Sequence, residues 1–239
     1  LMKGKSGSIV AIEPGSGEIL SLVSGPSYDP NLLTGRNYSS NFVLISNDTL
    51  KPLFTRPLMA QYRPGSIFKI AQAMTALQEG VIKPDTRIRC DRSIIGCHGN
   101  HSNEDLRGAI ENSCNPYFHG VLRRMLNKGI SNDPYEDTRI GLEEWNKHIR
   151  SFGFGSNLGV DLPNEKGGLI PNVAYYDRAY NNRPWKFSNI YSIAIGEGEN
   201  LVVPIQMANF AAIVANRGFY YKPHLIKSIG EEGPLPQYK

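Results

Sequence analysis

The chain has 239 residues, 40% of them hydrophobic and 20% charged, enough for one large domain with its own core or for two small ones. Its formal net charge of +4 is basic, but Lys and Arg are scattered singly, and nothing in the pattern marks a nucleic-acid partner. No stretch approaches the ~20 uninterrupted apolar residues of a spanning helix, and no charged segment followed by an apolar run marks a signal peptide.

"GSIVAIE" and "EILSLVS", residues 7 to 13 and 18 to 24, alternate like strands and are joined by "PGSG", which predicts a β-hairpin and the start of an antiparallel sheet. From Gly25 to about Leu58 the chain is rich in Gly, Asn, Pro and Ser and reads mostly as loop with short helical pieces. A mainly apolar helix is then predicted from Ser66 to about Glu79, closed by Gly80. Residues 84 to 103 are turn-rich. "SNEDLRGAIENS" predicts a helix capped by Ser102 or Asn103, and "NPYFHGVLRRMLNKG" a second with Pro116 near its start and Gly129 after its end. "TRIGLEEWNKHIRSFGFG" and "VVPIQMANFAAIVANRG" predict two more. There is no internal repeat and no low-complexity linker, so a single domain with helices inserted after a hairpin is the simplest organisation.

The helix that opens on "RPGSIFK" carries the chemistry. Ser66 and Lys69 stand three residues apart, hence on one helical face, where their side chains converge. A lysine accepts a serine's proton when burial disfavours its charged form, and Ile67, Phe68, Ile70 and Met74 are apolar neighbours suited to burying it. A serine in the first helical turn also puts its N–H among amides without a helical partner, ready for a developing oxyanion. Ser-x-x-Lys arises by chance about once in a chain of this length, so the competing reading is a capping serine and a solvated lysine. "ENSCNPYF" adds Ser113 as a proton relay and Asn115 as an amide for a substrate carbonyl, at a junction between two predicted helices. Ser39-Ser40-Asn41 matches Ser-x-Asn as well, but in a loop-like stretch.

These residues resemble the transpeptidase domain of class B penicillin-binding proteins, particularly the elongation-type members. Beyond Ser-x-x-Lys and Ser-x-Asn, "GSIVAIEPGSGEILSLVSGPSYDPN", "KPLFTRPLMAQYRPGSIFKI", "GVDLPNEKGGLIP" and "SIAIGEGENLVVPIQMANFAAIVANRG" resemble the family's blocks in order. The resemblance implies an α/β (α+β) fold with an antiparallel sheet and helices on both faces, with Ser66 as acylated nucleophile, Lys69 as base, Ser113 as relay and Asn115 as the group orienting the substrate amide. Glu197 and Val203 depart from the family pattern, where Gln and Thr are expected. The family's Lys-Thr-Gly strand, source of a second oxyanion N–H, is absent from the 239 residues. The chain therefore reads as a fragment, expected to be impaired alone, with a membrane anchor and pedestal domain before residue 1 and sheet strands after residue 239.

The implied activity is that of a peptidoglycan D,D-transpeptidase on the outer face of the bacterial inner membrane. It would be acylated by D-Ala-D-Ala stem peptides of a lipid-linked precursor, be the target of β-lactams, and be joined to a glycosyltransferase of the elongation complex. A serine β-lactamase or carboxypeptidase, and a catalytically silent penicillin-binding module, are the alternatives. No catalytic cofactor is implied.

The three cysteines leave two readings open. Cys90 and Cys97 pair as a short disulfide with Cys114 a buried apolar residue, or Cys90, Cys97, His101 and Cys114 hold a structural zinc, with His98 as a substitute for His101.

Overall fold

The computed structural model describes residues 2, 4–99 and 101–230; the tail from 231 onward, including "PLPQYK", lies outside them. The predicted hairpin is present: β1 (Gly7–Ile12) pairs antiparallel with β2 (Ile19–Gly25) in a register that sets Gly7 opposite Gly25. The "PGSG" turn closes with Gly17 N–H donating to the Glu13 carbonyl at 2.8 Å.

The stretch read as loop contains a ten-residue helix, α1 (Tyr38–Asn47), and a single turn, α2 (Arg56–Met59). The sequence does place Tyr38, Phe42 and Ile45 of α1 at helical spacing, but its Gly-, Asn- and Ser-rich surroundings read as loop, and only Ile45 is buried on it. A 3₁₀ turn over Gly65–Ile67 runs into α3 (Phe68–Gln78), close to the predicted limits. Two short strands follow, β3 (Ile88–Arg89) and β4 (Asn103–Glu104), paired antiparallel where turns and the start of a helix were expected. Asn103 and Glu104 therefore belong to a strand. The cap of α4 (Leu106–Glu111) is Asp105, whose carboxylate accepts from Gly108 N–H at 2.9 Å; neither Ser102 nor Asn103 caps it.

The next two helices are α5 (Asn115–Leu126) and α6 (Pro134–Ser151). The latter starts four residues before Thr138 because Asp133 accepts from Tyr135 N–H at 2.9 Å and Pro134 occupies the first turn. α7 (Val173–Ala179) and α8 (Phe187–Ile190) were not anticipated, and α9 (Pro204–Ala215) was. The result is a mixed α+β chain with antiparallel pairing, as expected.

The chain packs as two compact units. One comprises residues 1–62, 156–168 and 203–239. In it Ile19, Leu58, Val160, Val203 and Ile205 form the core against the inward side chains Val10, Ile12 and Leu22 of the hairpin. The other comprises residues 63–155 and 169–202. Its centre is a set of fully buried side chains on α3, α5 and α6, including Phe68, Tyr117, Phe118, Leu122 and Trp145. The Trp145 indole N–H donates to Gln72 Oε1 at 2.7 Å, and its ring meets Phe68 edge-on at 6.3 Å, so α3 and α6 are tied by shape and by a buried hydrogen bond. Trp145→Ala is expected to destabilise the protein by about 3 to 5 kcal/mol, read as a lower denaturant midpoint; an unchanged midpoint would show that this pairing does not hold the second unit together.

Candidate active site

Ser66, Lys69, Ser113 and Asn115, and every candidate metal ligand, fall in the second unit. Ser66 is exposed in the 3₁₀ turn that precedes α3, and Lys69, one turn on, is only 2% exposed. A buried ammonium requires acceptors. Lys69 Nζ donates to the Ser113 carbonyl at 2.7 Å, to Ser113 Oγ at 3.0 Å and to Asn115 Oδ1 at 2.5 Å. The Phe118 ring lies beneath the ammonium at 5.8 Å. Burial lowers the Lys69 pKa from its ordinary 10.5, opposed by the thiols of Cys97 and Cys114.

Ser113 Oγ in turn donates to Ser66 Oγ at 3.0 Å. The hydrogen-bonded path between the two motif residues therefore runs through Ser113, a connection that spacing along one helix does not reveal. Ser113 sits at the α4–α5 junction with φ +50, a left-handed conformation costly for a residue with a side chain. Its own N–H is satisfied by the Ile110 carbonyl at 3.1 Å. Asn115 opens α5; its amide donates to the Gly96 carbonyl at 2.8 Å and its backbone N–H to Cys97 Sγ at 3.3 Å.

The Ser66 turn is held from the other side by residues the sequence reading did not assign to the site. Gly65 N–H donates to the Gly196 carbonyl at 3.0 Å, and both glycines have positive φ, +59 and +73. A Cβ at Gly196 would overlap the Gly65 carbonyl oxygen and approach Phe68 Cβ at 2.8 Å. Arg63 Nε donates to the Gly198 carbonyl at 3.0 Å, with Glu197, the departure from the family's Gln, 3.9 Å from its guanidinium. "GEG" after an apolar run was the available signal, and only its function as a backbone contact was illegible.

The metal candidates also meet. One ligand atom from each of Cys90, Cys97, His101 and Cys114 falls within 4.8 Å of all the others, and Cys97 Sγ lies 3.5 Å from His101 Nε2. All three cysteines are free thiols, so the Cys90–Cys97 disulfide is not formed. His98 is exposed and outside the cluster. The β3–β4 ribbon makes the approach, with Cys90 N–H donating to the Ser102 carbonyl at 2.7 Å. Burial, with Cys90 alongside, pushes the Cys114 thiol up to about 12, a cost that a bound cation would reverse.

Gly196→Ala is expected to displace the Gly65–Ile67 turn and cost about 1 to 3 kcal/mol, read as a lower melting temperature. An unperturbed melt would mean that the glycine contact does not fix the turn.

Comparison with known proteins identifies the family. The family model described as "Penicillin binding protein transpeptidase domain" matches residues 7–239. The chain is 33% identical over 239 residues to the peptidoglycan D,D-transpeptidase MrdA of Acinetobacter baumannii, covering 95% of this chain and 33% of that protein. Among solved structures, Pseudomonas aeruginosa PBP2 in complex with WCK 5153 superposes with a TM-score of 0.81 at 30% identity, over 98% of this chain and 52% of that one. A complex of PBP2 with MreC from Helicobacter pylori superposes with a TM-score of 0.78 at 26% identity, over 98% of this chain and 42% of that one. The chain thus spans about a third of the length of the curated relatives it matches. With a family model matched along almost its whole length, the chain belongs to the penicillin-binding protein transpeptidase domain family.

Proposed function

We propose that this chain carries the acylation site of a peptidoglycan D,D-transpeptidase. The observation that carries the reading is the path Ser66 Oγ, Ser113 Oγ, Lys69 Nζ, with each link at 3.0 Å and its far end a buried amine. Neutral Lys69 takes the Ser66 proton through Ser113, and Ser66 Oγ attacks the carbonyl between the two D-alanines. The Ser66 N–H, in the first turn of the helical segment, faces the developing oxyanion. The C–N bond then breaks, and Ser113 passes the proton to the departing D-alanine nitrogen. The acyl group on Ser66 is transferred to an amine of a second stem peptide. Asn115 orients the substrate amide while its Oδ1 holds Lys69. Named relatives such as MrdA of Acinetobacter baumannii support the activity.

Around this site the reading places a lipid-linked stem peptide as substrate, β-lactams as mimics acylating Ser66, and an extracytoplasmic, membrane-anchored location in a cell-elongation complex. The PBP2–MreC complex of Helicobacter pylori supports the last of these by similarity. No described helix is long and apolar enough to cross a membrane.

The same proposal includes a structural zinc on Cys90, Cys97, His101 and Cys114. Tetrahedral bonds of about 2.3 Å to sulfur and 2.0 to 2.1 Å to nitrogen put neighbouring ligand atoms about 3.6 Å apart, which the 3.5 Å between Cys97 Sγ and His101 Nε2 fits. Four protein ligands leave no open position, so the ion serves position rather than chemistry. Cys114 lies between Ser113 and Asn115, and Cys97 Sγ accepts from the Asn115 backbone N–H, so a metal here fixes both groups from behind.

A labelled penicillin applied to the full-length protein is expected to form a stable adduct that Ser66→Ala abolishes. Rapid turnover of the adduct would mark a hydrolase, and no adduct a silent module. The labelling rate should rise with pH as Lys69 loses its proton, with a midpoint below 10.5 because the folded state disfavours the charged amine. A rate flat with pH across that range would remove Lys69 from the role of base. Elemental analysis should find about one zinc per chain, lost in Cys97→Ala together with thermal stability; a metal-free preparation with a Cys90–Cys97 disulfide would overturn the zinc assignment.

A further inference from the structure

A second cleft in the same unit, of about 500 Å³, is lined by His119 and Arg123 of α5, Asn127 after it, and Lys186, Ser188 and Tyr191 around α8. No described Asp or Glu lines it. Neither Arg123 nor Lys186 has an ion-pair partner among the described residues. Lys186 instead rests over the Tyr135 ring at 5.5 Å. His119 is 9% exposed, edge-on to Phe187 at 4.9 Å and to Tyr191 at 5.5 Å, which builds an aromatic wall beside the two cations. Burial, and then the charge of Arg123, hold the His119 pKa below its ordinary value. Two uncompensated cations, an amide, a hydroxyl and an aromatic wall in a cavity of this size suit a ligand with carboxylates and peptide groups better than a bare phosphate.

We propose that this cleft binds a short acidic peptide, with Arg123 and Lys186 receiving its carboxylates, Asn127 and Ser188 its amides, and the His119–Phe187–Tyr191 wall its aliphatic parts. The source that fits is the acidic portion of a second peptidoglycan stem; that identification rests on the transpeptidase reading above, whereas the anion chemistry does not. The cleft adjoins the candidate active site along the chain. His119 stands four residues, one helical turn, beyond Asn115, and Ile94, also in the lining, lies two residues before Gly96, whose carbonyl accepts from the Asn115 amide.

Calorimetry on the full-length protein tests it with three probes: the tripeptide N-acetyl-L-Ala-γ-D-Glu-L-Lys with free carboxylates, the same tripeptide amidated at both, and inorganic phosphate. The free tripeptide is expected to bind, and amidation to weaken it about tenfold or more. The folded double variant Arg123→Gln/Lys186→Gln, checked by its melting temperature, should weaken it to a similar extent, whereas Ser66→Ala should leave it unchanged. No binding of the tripeptide, or binding indifferent to amidation and to the double variant, overturns the site; phosphate binding as tightly as the tripeptide overturns the peptide assignment. Because penicillin labelling of Ser66 is read separately, tripeptide binding without labelling would remove the transpeptidase reading and leave the cleft standing.

Discussion

The burial of Lys69 is the constraint on which the second unit's site depends. An ammonium removed from water must be surrounded by acceptors, and all of its hydrogen bonds go to residues 113 and 115, more than forty positions along the chain. The charge thereby ties the start of α3 to the junction between α4 and α5, and leaving it without these partners would cost several kcal/mol. The same desolvation that demands the acceptors lowers the amine's affinity for its proton. Site geometry and base strength are thus two results of one placement.

Support for that placement comes from two directions. On the Ser66 side the contact is backbone to backbone, Gly65 to Gly196, where the absence of a side chain is the requirement. On the Ser113–Asn115 side it is the loop of Cys97, which meets Asn115 through a sulfur and a carbonyl. Within the unit Ser66 and its hydrogen-bond partners are therefore held by separate segments, and a shift in either changes the path between Ser66 and Lys69.

Much of this was legible in the sequence where a local rule had no rival. The hairpin followed from alternation and a Pro-Gly turn, and α3, α5 and α9 followed from apolar spacing with Gly or Pro punctuation. Ser66, Lys69, Ser113 and Asn115 were named from motif spacing, and the structure brings them together. What was hidden depends on tertiary context. α1 has Tyr38, Phe42 and Ile45 at helical spacing, but it buries a single residue and lies in a Gly-, Asn- and Ser-rich stretch that reads as loop. Asp105 outcompeted Ser102 and Asn103 as a cap because Asn103 and Glu104 had already paired with Ile88 and Arg89, a pairing with no local signature. That His101 rather than His98 meets the three thiols depends on where the β3–β4 ribbon delivers Cys90, which no local pattern shows.

Ser113 combines a left-handed backbone, φ +50, with a hydroxyl in hydrogen-bond contact with both Ser66 and Lys69. Glycine or asparagine would occupy that conformation with about 1 kcal/mol less strain. Exchange to glycine, however, removes one acceptor from the buried Lys69 ammonium, a loss of about 1.5 to 3 kcal/mol that outweighs the relief. The fold therefore tolerates the strain at residue 113 for the sake of the same hydroxyl that meets Ser66, and screening for heat resistance would retain this serine rather than discard it.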